Sequence, residues 1–158
     1  MKTKHKKSVL FVCTGNMCRS VIAEYLFRAL LEQRSENRVR VTSAGTAALE
    51  GFGPSDNAMR VLKEYGVDAT GHATAHLTEA LCLDADVICC MTHVHLSTVR
   101  SLSPSLRGRS HLLTEFAEAN TEAEIDDPMG GSIETYREVT RIIDGCLPRL
   151  ADFVLEEG

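Results

Sequence analysis

The chain contains no tryptophan, and aromatic residues make up only 5% of it. Long apolar runs are also missing: residues 9–13 form one of the longest, against the roughly 20 residues that a membrane-spanning helix requires. The lysine-rich start at residues 1–7 is not followed by the apolar segment of a secretory signal. These absences predict a cytoplasmic protein that does not associate with membranes.

Several short motifs are absent as well. No two cysteines have CxxC spacing, which argues against a structural zinc site. Neither the Walker pattern nor GxGxxG occurs, so nucleotide-binding loops of those kinds are excluded. The six cysteines, in a chain with a full-sized core and no export signal, are interpreted as reduced thiols rather than a disulfide framework.

The composition is that of one soluble domain. The chain has 158 residues, of which 44% are hydrophobic and 25% charged. The net charge is −5, and four lysines lie in the first seven residues, so the rest of the chain is more acidic still. Such a surface repels nucleic acid, and no nucleic-acid partner is expected. We expect residues 1–7 to form a basic flexible tail and residues 8–158 to form a single domain.

The order of apolar patterns predicts an α/β fold. Four short apolar segments predict strands, at residues 8–12, 39–43, 86–91 and 111–113. Helical periodicity follows each of the first three, and Ser132 is placed to cap a long last helix with an expected kink at Pro148. This alternation predicts a four-stranded parallel sheet with helices on both faces. Ligands of such sheets bind beyond the carboxyl ends of the strands, which points to the loop after the first strand.

That loop has the composition of an oxyanion site. Cys13 and Arg19 enclose five residues, a spacing at which backbone N–H groups can point inward around an anion. The following helix contributes its positive end, and the Arg19 guanidinium can hold two phosphate oxygens. The same potential favours the thiolate of Cys13, a nucleophile, while Gly15 is expected to allow an unusual backbone conformation. The predicted phosphate-binding residues are Thr14, Gly15, Asn16, Met17, Cys18, Arg19 and Ser20.

Residues 12–20, with the sequence VCTGNMCRS, resemble the signature loop of low-molecular-weight protein tyrosine phosphatases. The resemblance continues in SAG at residues 43–45, in DVI at residues 86–88 and in DPMGG at residues 127–131. It covers essentially residues 8–155. Larger tyrosine phosphatases place the nucleophile and the acid in the opposite chain order and do not fit.

The resemblance implies a role for each residue of the catalytic set. Cys13 would attack phosphorus and become a phosphocysteine, while Arg19 and the loop amides would hold the phosphoryl oxygens. Asp127 would protonate the leaving group and then activate water; Asp126 is the alternative, but Asp127 directly precedes the proline as in the family. Ser20 would hydrogen-bond the Cys13 sulfur. No metal or cofactor is implied.

The resemblance also assigns supporting residues and a partner. Asn16, Ser20, Ser43 and His76 are expected to hold the shape of the loop. Cys18 is expected to form a reversible disulfide with the nucleophile, which would make the enzyme redox-sensitive. The expected partner is a phosphorylated protein, and the chain is expected to be a monomer or a weak dimer.

The substrate choice depends on the pocket wall. Members that hydrolyse phosphotyrosine usually carry an aromatic residue after the Asp-Pro pair, where this chain has Met129, and another where it has Ala48 or Leu49. Thr14, a small polar residue, follows the nucleophile. Thr14, Leu49 and Met129 are therefore the predicted specificity residues. They resemble the protein arginine phosphatase branch, so phosphoarginine is slightly favoured over phosphotyrosine, with a tyrosine phosphatase as the alternative.

Two other classes of protein fit less well. An arsenate reductase of this fold needs two further redox cysteines about seven residues apart, and Cys82 and Cys89 have that spacing but lie in or before the third strand. A non-catalytic phosphoprotein-binding module would be expected to lack part of the catalytic set, all of which is present. Cys82, Cys89, Cys90 and Cys146 are interpreted as core residues. His93 and His95 either contact substrate or cap a helix, and capping is favoured.

Overall fold

The computed structural model describes residues 6–119 and 123–156. Within these residues the strands are β1 (Lys7–Cys13), β2 (Val39–Gly45), β3 (Val87–Cys90) and β4 (Ser110–Leu112). The helices are α1 (Arg19–Gln33), α2 (Asp56–Glu64), α3 (Glu79–Leu83), α4 (His93–Leu102) and α5 (Ile133–Glu156). Two 3-10 helices, Pro104–Arg109 and Leu113–Phe116, flank β4.

The strands form one parallel sheet in the order β2-β1-β3-β4. The chain leaves β1 towards one side to build β2 and later returns to the other side to build β3. The strand order therefore reverses at β1, and the loops after β1 and β3 diverge to open a crevice at the carboxyl edge of the sheet. This arrangement confirms the predicted fold class.

Alternation along β1 separates two cores. Val9 and Phe11 pack with apolar residues of α1, α2 and α5 on one face of the sheet. Leu10 and Val12 pack on the other face with the smaller cluster from α3, α4 and the 3-10 helix after α4. Because β1 is covered on both faces, it reads in the sequence as a continuous apolar run.

Some element boundaries differ from the predictions. β1 begins at Lys7, inside the expected tail, because the Lys7 amide donates to Arg38 O at 2.9 Å; residues 1–5 of that tail lie outside the described residues. The short helix α3 was not predicted. Helix α5 runs without interruption through Pro148, and Ser132 Oγ accepts from Thr135 N at its start, as predicted for a cap. No helix in the described ranges is both long and apolar enough to span a membrane.

Candidate active site

The predicted phosphate-binding loop lies at the crevice, between β1 and α1. Cys13 is the last residue of β1 and is 2% exposed, and α1 begins at Arg19. No side chain of the described residues caps the first turn of α1. The N–H groups of that turn are therefore available to an anion at the positive end of the helix.

The sulfur of Cys13 is held by two hydrogen-bonding groups of its own loop. Ser20 Oγ lies 2.9 Å from Cys13 Sγ, and the Asn16 backbone N–H donates to the same sulfur at 3.3 Å. Donors directed at sulfur stabilise a thiolate more than a neutral thiol, since a hydrogen bond to a charged acceptor is the stronger one. The loop therefore supplies two groups that can hold negative charge on the Cys13 sulfur.

Asn16 is the residue around which the loop is built. It is fully buried and has a φ of 58°, in the left-handed region that asparagine tolerates better than most residues. Its side-chain amide donates to Ser20 Oγ at 2.8 Å and to Ser43 Oγ at 2.9 Å. Its side-chain oxygen accepts from Ala75 N at 2.9 Å. These three bonds hold the curl of the loop from inside.

The unusual backbone lies at Asn16, so the expectation for Gly15 is wrong. Gly15 has no positive φ, and a Cβ there would meet nothing within 4 Å. The glycine that the loop requires is Gly45, at the end of β2. A Cβ on Gly45 would lie 2.4 Å from Thr14 O and 2.9 Å from Asn16 N. The absence of a side chain at Gly45 lets the loop pack against β2.

The polar network extends behind the loop to a buried carboxylate. Ser43 Oγ donates to Glu24 Oε1, and Glu24, which is 4% exposed, also pairs with Arg28. The imidazole that reaches the loop belongs to His72, whose Nε2 lies 2.9 Å from Asn16 O. The prediction of His76 in this role is wrong: His76 is exposed and contacts Glu50 through its backbone N–H, because it sits at the rim where the chain bridges to Gly45.

Arg19 and Asp127 face each other across the loop. Arg19 Nη2 lies 3.6 Å from Asp127 Oδ2, and Arg19 Nη1 donates to Ile125 O at 2.9 Å. Arg19 Nε is buried and has no hydrogen-bond partner among the described residues. Asp127 is about half exposed, with one oxygen accepting from Met129 N at 3.0 Å. The structure thus places Asp127 opposite the guanidinium, where one carboxylate oxygen can reach a group bound by Arg19.

Cys18 lies in a hydroxyl cluster behind the loop. Its sulfur is 3.2 Å from Tyr136 Oη and 3.3 Å from Ser55 Oγ. Burial raises the pKa of the Cys18 thiol, although both hydroxyl groups act in the opposite direction. Tyr136 is 2% exposed and anchors α5 at this point. Sequence reasoning did not connect Tyr136 to the loop, because 118 residues separate it from Cys18.

The remaining cysteines are packing residues. All six cysteines are free and buried. Burial raises the pKa of Cys82 and of Cys146 to about 11, and it also raises the pKa values of Cys89 and Cys90. Thiols that stay protonated are poor redox nucleophiles. Cys82 and Cys89 therefore do not have the character that an arsenate reductase would need.

Large apolar side chains are exposed on the loops beside the site. Leu49 and Met129, predicted as specificity residues, are 71% and 51% exposed, whereas Ala48 is buried. The segment that carries Leu49 lies against the phosphate-binding loop, since Ser55 N donates to Met17 O at 3.0 Å. Phe52, in the same segment, is 54% exposed and was not predicted. The segment that contacts the phosphate-binding loop thus carries an exposed aromatic side chain.

Thr14 is exposed at the mouth of the loop and is held from below by His95. Thr14 Oγ1 lies 2.8 Å from His95 Nε2, and His95 Nδ1 lies 3.0 Å from Thr92 Oγ1. Thr92 is the N-cap of α4, so the prediction that a histidine caps this helix is wrong. Burial, followed by the nearby Arg19 charge, lowers the pKa of His95 to about 4. His95 is therefore neutral at physiological pH.

No three His, Cys, Asp or Glu side chains of residues 6–119 and 123–156 come together as a metal site would require. The groups that can neutralise a phosphoryl charge here are the Arg19 guanidinium and the loop amides. A soft nucleophile, an oxyanion cradle and a carboxylate within reach form a set suited to phosphoryl transfer through a covalent intermediate.

Comparisons with known proteins agree with this chemistry. The model of the low molecular weight phosphotyrosine protein phosphatase family matches residues 8–158. The protein-arginine-phosphatase of Bacillus subtilis is 35% identical over 143 residues, covering 90% of this chain and 93% of the relative. The tyrosine phosphatase Wzb of Escherichia coli K12 is 34% identical over 137 residues, covering 87% and 88%.

A solved structure of the YwlE arginine phosphatase, a mutant with a phosphorylated active-site serine, superposes with a TM-score of 0.87 at 32% identity. The match covers 94% of this chain and 96% of that one. Its phosphorylated nucleophile supports a covalent mechanism on this fold. The chain belongs to the low molecular weight phosphotyrosine protein phosphatase family and is a cysteine-dependent protein phosphatase.

Proposed function

We propose that Cys13, Arg19 and Asp127 carry out hydrolysis of a phosphorylated protein side chain, with a preference for phosphoarginine over phosphotyrosine. The observation that supports this assignment of roles is that the Arg19 guanidinium of the loop lies 3.6 Å from the Asp127 carboxylate, while donors of the same loop hold the Cys13 sulfur. A phosphoryl group held by Arg19 and the loop amides would have sulfur on one side and the Asp127 carboxyl group on the other.

In the first step the Cys13 thiolate attacks phosphorus. The new S–P bond forms as the bond from phosphorus to the leaving nitrogen or oxygen breaks, and Asp127 gives its proton to that leaving atom. Arg19 and the N–H groups of the loop stabilise the charge on the equatorial oxygens. The product is a phosphocysteine and a dephosphorylated side chain.

In the second step Asp127, now ionised, takes a proton from water. The water oxygen attacks phosphorus while the S–P bond breaks, and inorganic phosphate is released. The electron pair returns to sulfur, where the Ser20 hydroxyl stabilises the thiolate. Asp127 ends the cycle protonated, as it began.

The preference for phosphoarginine rests on the mouth of the loop. Thr14 presents a fixed hydroxyl group directly after the nucleophile. Its oxygen can accept hydrogen bonds from the N–H groups of a guanidinium. A phenol ring offers no donor at that position. The two relatives described above are about equally similar to this chain, and one of them is named an arginine phosphatase.

Phosphotyrosine is the second candidate, because the exposed Phe52 lies in the segment that contacts the phosphate-binding loop. An aromatic ring there can stack on a phenol, a contact worth about 0.5–1.5 kcal/mol. The deciding experiment compares hydrolysis of matched phosphoarginine and phosphotyrosine peptides by the wild type and by Thr14→Ile. We expect the wild type to prefer phosphoarginine and Thr14→Ile to shift towards phosphotyrosine. Equal or better phosphotyrosine turnover, with no gain on Thr14→Ile, would contradict the preference.

We further propose that Cys18 protects the nucleophile from overoxidation. When peroxide converts Cys13 to a sulfenic acid, the Cys18 thiol condenses with it, releasing water and forming a disulfide. After peroxide treatment, a thiol reductant should restore the activity of the wild type but not that of Cys18→Ser. Full recovery of Cys18→Ser would contradict this role. A reversible disulfide fits a location in the cytoplasm, which we propose for this protein. We also propose that it is a monomer or a weak dimer.

A further inference from the structure

His95 connects the mouth of the phosphate-binding loop to helix α4. It is 3% exposed, and each of its ring nitrogens contacts a threonine hydroxyl: Thr14 Oγ1 at 2.8 Å and Thr92 Oγ1 at 3.0 Å. Thr14 is exposed whereas His95 is buried, so the imidazole fixes a surface hydroxyl from the interior. The reaction described above makes no use of this histidine.

The charge state of His95 determines what it can do. Burial and the neighbouring Arg19 lower its pKa, while Asp127 and Glu124 act in the opposite direction without cancelling that shift. A neutral imidazole has one N–H donor and one acceptor nitrogen. Of its two threonine neighbours, one therefore accepts a hydrogen bond from the ring and the other donates one to it.

The helix cap favours one of the two tautomers. Thr92 Oγ1 accepts from the His95 backbone N–H at 3.4 Å, as an N-cap oxygen does. When the proton is on His95 Nδ1, Thr92 Oγ1 accepts hydrogen bonds from both the ring N–H and the backbone N–H of His95. Nε2 is then unprotonated and accepts a hydrogen bond from the Thr14 hydroxyl.

We propose that His95 is a positioning residue that holds its proton on Nδ1 and accepts a hydrogen bond from the Thr14 hydroxyl on Nε2. This bond turns the free lone pairs of Thr14 Oγ1 towards the guanidinium of the substrate. The inference rests on the proposed function, because it explains how the mouth would select phosphoarginine. In the opposite tautomer Thr14 would present a hydrogen to the guanidinium N–H groups, and donor would face donor.

The tautomer is measured directly by long-range ¹H–¹⁵N correlation on the uniformly ¹⁵N-labelled wild type at neutral pH. The expected result is a protonated Nδ1 and an unprotonated Nε2 for His95. A protonated Nε2 would overturn the inference whatever the variants do. Because this measurement uses the wild type, it does not depend on any variant being folded.

The functional consequence is tested with two substitutions that differ in reach. The Asn side chain in His95→Asn can replace Nδ1 towards Thr92 but cannot reach Thr14, whereas the Gln side chain in His95→Gln extends to the position of Nε2. We expect His95→Asn to lower the ratio of phosphoarginine to phosphotyrosine kcat/KM about tenfold, roughly the value of one lost hydrogen bond. His95→Gln should recover most of that ratio. His93→Gln, an exposed neighbour on α4, is the matched control and should leave the ratio unchanged.

A double-substitution cycle separates positioning from general damage. Thr14→Val should lower the ratio as His95→Asn does, and the two together should lower it no further, since they remove the same contact. Additive losses, or equal losses for both substrates, would overturn the inference while leaving the phosphoarginine preference standing. Absence of wild-type phosphoarginine turnover would overturn the proposed preference and this inference with it.

Discussion

The hydroxyl oxygen of Ser20 lies 2.9 Å from the sulfur of Cys13. The same oxygen accepts a hydrogen bond from the side-chain amide of Asn16 at 2.8 Å. Because that amide can only donate, the Ser20 hydrogen is left for the sulfur. Asn16 therefore sets the direction of the bond that stabilises the thiolate, both as nucleophile and as leaving group.

Ser20→Ala removes that bond and should slow release of the phosphocysteine more than its formation. A hydrogen bond to a charged group contributes about 1.5–3 kcal/mol, so kcat is expected to fall about 10- to 100-fold. Rapid-quench kinetics with p-nitrophenyl phosphate would show a burst of p-nitrophenol followed by slow turnover. Ser101→Ala, at an exposed position in α4, is the control. A Ser20→Ala enzyme with wild-type kcat would contradict this role.

Glu24 should stabilise the fold through its buried contacts. Its carboxylate accepts a hydrogen bond from the Ser43 hydroxyl and pairs with Arg28. Removing the carboxylate therefore leaves a buried hydroxyl donor without its acceptor. Glu24→Ala is expected to lower the free energy of unfolding by about 1–3 kcal/mol in urea denaturation. Glu32→Ala, at an exposed position of the same helix, should change it by less than about 0.5 kcal/mol. Equal effects of the two substitutions would contradict the importance of this network.

Gly45 should not tolerate a side chain. Its Cβ would lie 2.4 Å from the backbone oxygen of Thr14, and neither β2 nor the loop can move apart without losing hydrogen bonds. Gly45→Ala is expected to destabilise the protein by more than about 2 kcal/mol and to lower kcat. Gly53→Ala, where a Cβ meets nothing within 4 Å, is the matched control. A stable and fully active Gly45→Ala would show that the loop does not need this close contact.

His95 should make stability depend on pH. Its pKa is about 4 in the folded protein, lowered by burial and then by Arg19, against about 6.5 in an unfolded chain. Between these values the unfolded chain binds more protons, so the free energy of unfolding falls as pH decreases from about 6.5 to 4. His95→Asn should show a shallower fall in denaturant titrations across this range. Identical slopes for the two proteins would mean that His95 is not buried as a neutral group.

The fold and the catalytic set could be predicted because their signals are local. An apolar strand, a CxxxxxR loop and an amphipathic helix follow one another in the first 33 residues, and the alternation of strands and helices predicts a parallel sheet. Asp127 is distant in sequence but carries its own signal, the following Pro128. Local patterns therefore predict Cys13 and Arg19, whereas the assignment of Asp127 depends on the resemblance of residues 127–131 to the family motif.

Two supporting residues, His72 and Gly45, could not be predicted in the same way. His72 and His76 lie four residues apart in an irregular segment, and only the bridge to Gly45 decides which imidazole turns inward. Gly15 attracts attention because it lies in the loop, whereas the steric demand falls on Gly45, which contacts the loop across the sheet edge. Such contacts depend on tertiary packing, which periodicity does not encode.

The measurement that tests the account most directly is a search for phosphate on Cys13. Asp127→Ala should retain the intermediate when it is mixed with p-nitrophenyl phosphate and quenched in acid within one turnover. The p-nitrophenolate group leaves without an acid, whereas hydrolysis of the phosphocysteine needs Asp127 as the base. Mass spectrometry of the peptide that contains Cys13 should show the added mass of one phosphoryl group, and Cys13→Ser should show no turnover. Phosphate on another residue, or hydrolysis by Cys13→Ser at the wild-type rate, would contradict the proposed mechanism.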